Sequence, residues 1–414
     1  MRILEGKAAD AYVTALENRG SRLGEVEPAV RRIVEDVRRD RDRALLKYAS
    51  ELDGLETTQP LRVCDSEMKS AWKRAPVQLQ IALRKAAKNI RRFCEWQKLN
   101  TWTRSRNGIS VGQLVRPLDS VGCYVPGGRF PLVSTLLMTV IPAQVAGVKN
   151  IRVVSPRPSS EVLAAAAMLR VREFYRVGGA QAISALAYGT ETIPRVDKIV
   201  GPGNLYITAA KKLVAFDCSI DMLAGPTEVV IVSSRGNPSF ITADLIAQAE
   251  HDPETLAVFI TTSRKLAGAV AKQLPSREHD KNAIAGQSLE TRGAILIASS
   301  REEAFHWANR IAPEHITVEK KDLPLVRDAG SVFIGNHSAQ AAGDYASGPN
   351  HVLPTAGAAR FRGGLSVTDF VKVISVQELS FKGLARIAPT VVCLAETEGL
   401  RAHADSIRVR CPGA

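Results

Sequence analysis

Residues 120–156 decide the fold, in three pieces: SVGCYVPGG (120–128), STLLMTVIPAQVAGV (134–148) and NIRVVSP (150–156). The first is a short apolar run that ends in a Pro-Gly-Gly turn and reads as a buried strand. The second reads as a helix, and the third is again a strand. Strand, turn, helix and strand in succession form the βαβ unit of a parallel sheet.

The pattern repeats downstream. EVLAAAAMLRV (161–171) and LYITAAKKLVAF (205–216) read as helices, with KIVGPG (198–203) between them as a strand entering a glycine turn. EVVIVSS (228–234), LAVFITT (256–262), GAILIASS (293–300), HITVE (315–319) and SVFIG (331–335) read as further strands. ITADLIAQAEH (241–251), residues 263–274 and residues 301–312 read as the helices among them. The middle of the chain is therefore α/β and doubly wound, with at least two units. Upstream, EPAVRRIVEDVRRDRDRALLKYASEL (27–52) and PVQLQIALRKAAKNIRRFCEWQ (76–97) repeat apolar residues every three or four positions, so residues 1–110 read as mainly helical. Residues 338–366 are rich in Gly, Ser, Ala and Pro and read as a functional loop. The residues beyond read as a small appended module.

The chain has 414 residues, 45% apolar and 23% charged, which fits a globular protein and excludes collagen-like, disordered and coiled-coil classes. No uncharged apolar stretch reaches the roughly 20 residues of a membrane span. The start, MRILEGKAADAYV, meets charge too early for a secretory leader, so a cytoplasmic protein without membrane partners is expected. The net charge of +13 raises the question of nucleic acid. Its basic residues alternate with acids, as in Arg38-Arg39-Asp40-Arg41-Asp42-Arg43, which is the texture of a solvated helix face. Aromatic residues at 5% also leave little for base stacking, so no nucleic-acid partner is expected. Six cysteines without a CxxC pair read as thiols, not as a disulfide framework.

Three glycine turns follow strands: Pro126-Gly127-Gly128, Gly178-Gly179-Ala180 and Gly201-Pro202-Gly203-Asn204. Glycine there lets a phosphate approach backbone N–H groups at a helix start. None matches GxGxxG or the P-loop, and each alone would more often be a structural turn. Together they mark the carboxyl edge of a sheet, where such folds bind ligands. Among seven histidines, His251 stands three residues after Gln248 on one helix face, and Asp252-Pro253 ends that helix. Asp344 and His351 flank the Gly-rich loop, and His403 lies near the C-terminus. Imidazole with amide or carboxylate oxygen is a plausible Zn²⁺ set, although each histidine alone would more often be structural. Glu314-His315 places a carboxylate beside an imidazole, a pair able to divide acid and base roles. Neighbours on a strand face opposite ways, so both reach one site only at a turn, which Ala312-Pro313 permits.

VGCYVPGG, STLLMTVIPAQVAG, VGGAQAISALAYGTETIPRVDKIVGPGN (177–204), AGPTEV (224–229), LIAQAEHDPE (245–254), APEHITV (312–318) and GDYASGPNHVLPTAG (343–357) occur in this order. In these the chain resembles the histidinol dehydrogenases, from about residue 20 to His403. The resemblance implies two incomplete Rossmann-like doubly wound domains with a helical N-terminal region and a small C-terminal tail module. Its parts would be an N-terminal arm (1–20), a main α/β domain (21–120 with 228–365), an NAD-binding domain (121–227) and a tail (366–414) swapped onto a partner.

The same resemblance implies one Zn²⁺ per subunit on Gln248, His251, Asp344 and His403. It implies proton transfer by Glu314 and His315, with His315 taking the alcohol proton and Glu314 activating water. Substrate contacts map to Thr227, Gln248, His251, His315, Asp344, Glu398 and His403, and NAD⁺ contacts to Tyr124, Gln181 and Asn204. The implied reaction takes L-histidinol through L-histidinal to L-histidine in a homodimer with shared sites, at the end of histidine biosynthesis. Leu223 and Thr227 stand where the family often has Pro and Ser, and GGRFPLVST departs from commoner versions of the first glycine motif, with Arg129 facing phosphate or solvent. These departures keep a paralogue acting on another small alcohol, such as a sulfonated diol, as the alternative. Glu398 favours histidinol, because an acid suits a cationic amine.

Overall fold

The computed structural model describes residues 1–19, 22–56, 58–127, 132–274 and 283–412. Gly128 and Arg129 of the first glycine turn, and His279, lie outside the described residues.

Strand β1 (Arg2–Glu5) leads into helices α1 (Gly6–Glu17), α2 (Leu23–Asp53), α3 (Asp65–Arg74) and α4 (Val77–Trp96). A hairpin follows, β2 (Trp102–Arg106) and β3 (Ile109–Pro117). Then come β4 (Ser120–Tyr124), α5 (Val133–Ala146), β5 (Asn150–Val154), α6 (Ser160–Met168), β6 (Glu173–Tyr175), α7 (Gly179–Tyr188), β7 (Lys198–Val200), α8 (Leu205–Val214) and β8 (Ser219–Ile220). The second α/β set is β9 (Glu228–Val232), α9 (Pro238–Ala249), β10 (Leu256–Thr261), α10 (Arg264–Gln273), α11 (Ala283–Thr291), β11 (Ala294–Ile297), α12 (Arg301–Ile311), β12 (His315–Val318), β13 (Ser331–Ile334) and α13 (Gln340–Tyr345). The chain ends in β14 (Val371–Leu379), α14 (Phe381–Thr397) and α15 (Arg401–Arg408).

One sheet has the order β6-β5-β4-β7-β8, and the other β1-β11-β10-β9-β12-β13. All pairings in both are parallel. Apart from β1, which lies at an edge, each sheet starts from a central strand, winds one way, then reverses, which is the doubly wound plan. The central strands are largely apolar because helices cover both faces: β9 reads EVVIV and β10 LAVFIT, with every residue buried. Around the second sheet, α1 and α12 close one face and α9, α10 and α11 the other.

Two arrangements differ from the expected partition. Helices α2 to α4 pack mainly on the helices of the first sheet, although α4 also shares a core with Val352 and Leu365 and its Asn89 donates to the Ala346 carbonyl. Val30, Val34, Val37 and Leu45 of α2 pack with Ile183, Leu186 and Ile207 of α7 and α8, and α3 and α4 pack with α5 and α6. The reason is volume. Helices α6 to α8 present mainly alanines, and the larger side chains of α2 to α4 fill the space they leave. The expected arm is also part of a sheet. Arg2–Glu5 pairs with Ala294–Ile297, and Ala9 and Val13 of α1 join the core beside Phe305 and Trp307.

A third, antiparallel sheet, β14-β3-β2, was not legible in the sequence. Val371 to Leu379 pairs residue by residue with Pro117 to Ile109, so the tail is stitched to the hairpin. Beyond it, α14 and α15 share only a small apolar cluster of Val392, Ala395 and Ala404. Phe381, Leu394, Leu400 and Val409 there are exposed. All six cysteines are free thiols, four of them buried. Among the described residues no helix is long and apolar enough to cross a membrane.

Candidate active site

The turn between α12 and β12 makes the first half of the site. Ala312 ends α12 in the left-handed region (φ 48°), and Pro313 follows. This reversal sets Glu314 just before the strand, so its side chain meets that of His315 instead of facing away. Both residues are buried. Glu314 Oε2 lies 3.6 Å from His315 Nδ1. It accepts hydrogen bonds from the Thr227 hydroxyl and from the Glu228 backbone N–H at 2.9 Å. His315 Nδ1 lies 3.2 Å from the Glu228 carbonyl, which fixes it as the donor and leaves Nε2 as the working atom. Nε2 is buried and has no hydrogen-bond partner, with Asp344 Oδ1 at 3.5 Å. Phe333 stands beside the ring, centroid to centroid 5.7 Å.

Gln248 enters from the end of α9. Its Nε2 donates to the Thr227 hydroxyl and lies 3.4 Å from His315 Nδ1. The helix ends at Ala249 with Glu250 as its cap, earlier than the sequence suggests, and the His251 N–H closes a turn on the Gln248 carbonyl at 3.3 Å. Asp344, on the short α13, feels the charges of His315, His351 and His251. His351 Nδ1 holds the Asp344 carbonyl at 2.9 Å.

Burial alone would push the His315 imidazole down. The Glu314 and Asp344 carboxylates outweigh it and hold it up at about 9. Burial would push Asp344 up, but His315 and the neighbouring imidazoles keep it below the usual carboxylate range. Burial pushes Glu314 up despite its donors. Glu314 and His315 therefore compete for one proton in a buried setting, which suits acid–base exchange.

The residues fit a divalent cation in part. Among the described residues Gln248 uses its Nε2 as a donor and its Oε1 accepts no hydrogen bond, His251 is exposed, and Asp344 brings a carboxylate held below its usual range. Amide oxygen, imidazole and carboxylate form an N/O set for a borderline metal. Among the described residues no three His, Cys, Asp or Glu gather as a metal group within one chain. His403, on α15, and Glu398, the C-cap of α14, are exposed and share no hydrogen bond or ion pair with this group among the described residues. One chain thus unites Thr227, Gln248, Glu314, His315 and Asp344, with His251 alongside, and does not deliver Glu398 or His403.

The glycine turns lie on the carboxyl edge of the other sheet. Tyr124 ends β4, and its hydroxyl accepts from the Gly179 N–H at 3.4 Å. Gln181 is fully buried, donates to Asp53 Oδ2 at 3.0 Å and leaves its own Oε1 without a partner. Asn204 caps α8 by accepting from the N–H groups of Tyr206 and Ile207 at 3.1 and 3.2 Å. Gly201 has φ 116°, and a Cβ there would stand 2.2 Å from the Tyr124 carbonyl oxygen, so no side chain fits. Sequence reasoning missed Asp53, which also accepts from the Gly178 N–H at 2.8 Å, and Glu228, whose backbone touches both Glu314 and His315. Glu228 carried a signal: it is the one charged residue in an otherwise apolar strand.

A buried carboxylate–imidazole pair on one doubly wound sheet, with a glycine-lined edge on another, is the arrangement of an α/β enzyme suited to proton exchange. The sequence profile described as Histidinol dehydrogenase matches residues 16–411. The histidinol dehydrogenase of Geobacter sulfurreducens is 44% identical over 416 residues, covering 97% of each chain. That of Methanothermobacter thermautotrophicus is 46% identical over 392 residues, covering 91% of this chain and 92% of its own. The crystal structure of histidinol dehydrogenase from Elizabethkingia anophelis superposes with a TM-score of 0.92 at 35% identity, covering 99% of this chain and 98% of that one. The chain belongs to the histidinol dehydrogenase family and is an oxidoreductase.

Proposed function

We propose that this chain oxidises L-histidinol to L-histidine by way of L-histidinal, in two NAD⁺-linked steps, with Zn²⁺ in the site. The observation that carries the reading is the orphaned His315 Nε2, buried beside Glu314 and Asp344. Each step removes two electrons and needs a base at the carbon being oxidised. His315 Nε2 takes the alcohol proton, while Nδ1 stays bound to the Glu228 carbonyl and fixes the ring. Glu314, oriented by Thr227 and the Glu228 N–H, draws the proton from water as it adds to the aldehyde. The pocket keeps the reactive aldehyde from bulk water between the steps.

Gln248, His251 and Asp344 would hold the Zn²⁺, with His403 supplied by a second copy of the chain. The ion would bind and orient the substrate's imidazole and amine. Tyr124, Gln181 and Asn204 would contact NAD⁺, which would accept the hydride at each step. The exposed apolar residues Phe381, Leu394, Leu400 and Val409 support a homodimer in which the tail packs on its partner and brings Glu398 and His403 to the site. Glu398 would then face the substrate's ammonium.

The test is purified, zinc-loaded protein with L-histidinol and NAD⁺, beside a panel of small diols and amino alcohols. The expected result is two NADH per histidinol and the highest kcat/KM for histidinol. A higher kcat/KM for an alcohol without an imidazole, or no NADH at all, would overturn the reading.

A further inference from the structure

Glu228 is a costly residue in its place. It opens a strand whose other members are Val229, Val230, Ile231 and Val232, and its carboxylate is buried. Oε1 pairs with Arg19 Nη2 at 2.8 Å and accepts from the Ala356 N–H at 3.0 Å, while Oε2 has no partner. A buried carboxyl is costly to ionise without a partner of opposite charge, and Arg19 is the cation beside it. The same Arg19 donates to the Ile311 carbonyl at 3.1 Å and to the Leu16 carbonyl. Ile311 is the last residue of α12, three positions before Glu314.

The guanidinium therefore grips the catalytic turn from both sides. It holds the entry of the turn through the Ile311 carbonyl. It holds Glu228 through its carboxylate, and the Glu228 main chain in turn binds Glu314 Oε2 at 2.9 Å and His315 Nδ1 at 3.2 Å. The loop carrying Ala356 is tied in as well, since Thr355 Oγ1 accepts from the Gly225 N–H. A guanidinium can serve three acceptors in different directions at once, which an ammonium on a longer tether does less well.

We infer that Arg19 and Glu228 form a positioning clamp that sets the orientation of Glu314 and His315, anchored by the segment that follows α1. Arg19 touches no reacting atom, so it is a positioning residue. The inference rests on the reading of Glu314 and His315 as the acid–base pair.

The experiment uses full-length, zinc-loaded protein carrying Arg19→Met or Arg19→Lys. Arg19→Met should lower kcat by roughly tenfold or more while KM for the alcohol changes less than about threefold, because misplacement of a catalytic group acts on turnover. Arg19→Lys should recover most of that loss. Amide hydrogen exchange should quicken by roughly tenfold in peptides spanning 226–230 and 312–317 and stay unchanged in 256–261, because only the clamped turn is released. Wild-type kcat together with wild-type protection at 226–230 in folded Arg19→Met would overturn the clamp. Faster exchange spread evenly over the sheet, 256–261 included, would also overturn it and mark a general stabilising role. Inactive wild-type protein would remove the proposed function, and the exchange arm, which needs no substrate, would still decide the clamp.

Discussion

Thr227 joins the two halves of the site, and replacing it with valine isolates what its hydroxyl does. The hydroxyl donates to Glu314 Oε2 and accepts from Gln248 Nε2. Valine keeps the shape and removes both bonds. A hydrogen bond to a charged group contributes about 1.5–3 kcal/mol, and a buried amide donor left unpaired costs about 1–3 kcal/mol. The two losses share one atom and do not add fully, so Thr227→Val should destabilise by about 3 kcal/mol. Thr227→Ser keeps the hydroxyl and removes one methyl, a loss of about 1 kcal/mol. The hydroxyl also pulls Glu314 down against the burial that pushes it up. Its removal raises that carboxyl further, so the acidic limb of turnover should move to higher pH in Thr227→Val. Denaturant unfolding and a pH–rate profile of the two variants provide the check. Equal or greater stability in Thr227→Val than in Thr227→Ser, with an unmoved acidic limb, would refute the assigned role.

Three further outcomes are expected. His251→Asn should reduce bound zinc on elemental analysis, whereas His315→Asn should retain zinc and lose turnover by roughly 10²–10⁴. Burial pushes Glu228 from 4.5 up to about 7. A carboxyl raised on folding gives stability that is complete below its unfolded value and lost as pH rises through the folded one. Wild-type stability should thus fall by about 3 kcal/mol across that window from this group, at about 1.4 kcal/mol per pH unit, and Glu228→Gln should flatten the fall in unfolding measured at pH 4.5 to 8. Gly201→Ala places a Cβ 2.2 Å from the Tyr124 carbonyl oxygen at φ 116°, so the turn must shift, and KM for NAD⁺ should rise more than KM for histidinol.

What the sequence revealed follows from burial. Strands 228–232 and 256–261 are covered on both faces, so their apolar runs are unbroken and their limits were legible to within two residues. Strand β2 is exposed at every residue and β14 nearly so, which leaves no pattern, and the pairing of β14 with β3 joins segments more than 250 residues apart. The Glu314–His315 pair was legible because Ala312-Pro313 announces a turn. The Arg19–Glu228 pair was not, since nothing local in either segment names the other. The packing of α2 to α4 on the first sheet was equally hidden, because an apolar stripe says that a helix is covered and not by what.

The ends of the helices add a property that no single side chain carries. Gln248 and Ile311 lie in the closing turns of α9 and α12, so both helices aim their carbonyl ends at the acid–base pair. On the other sheet, α7 and α8 begin at glycine turns, where their first N–H groups meet Asp53, the Tyr124 hydroxyl and the Asn204 side chain. Aligned peptide dipoles place roughly half a negative charge at the first kind of end and half a positive charge at the second. The backbone alone therefore gives the molecule two poles. The first kind of end favours a positive group beside it and the second a negative one.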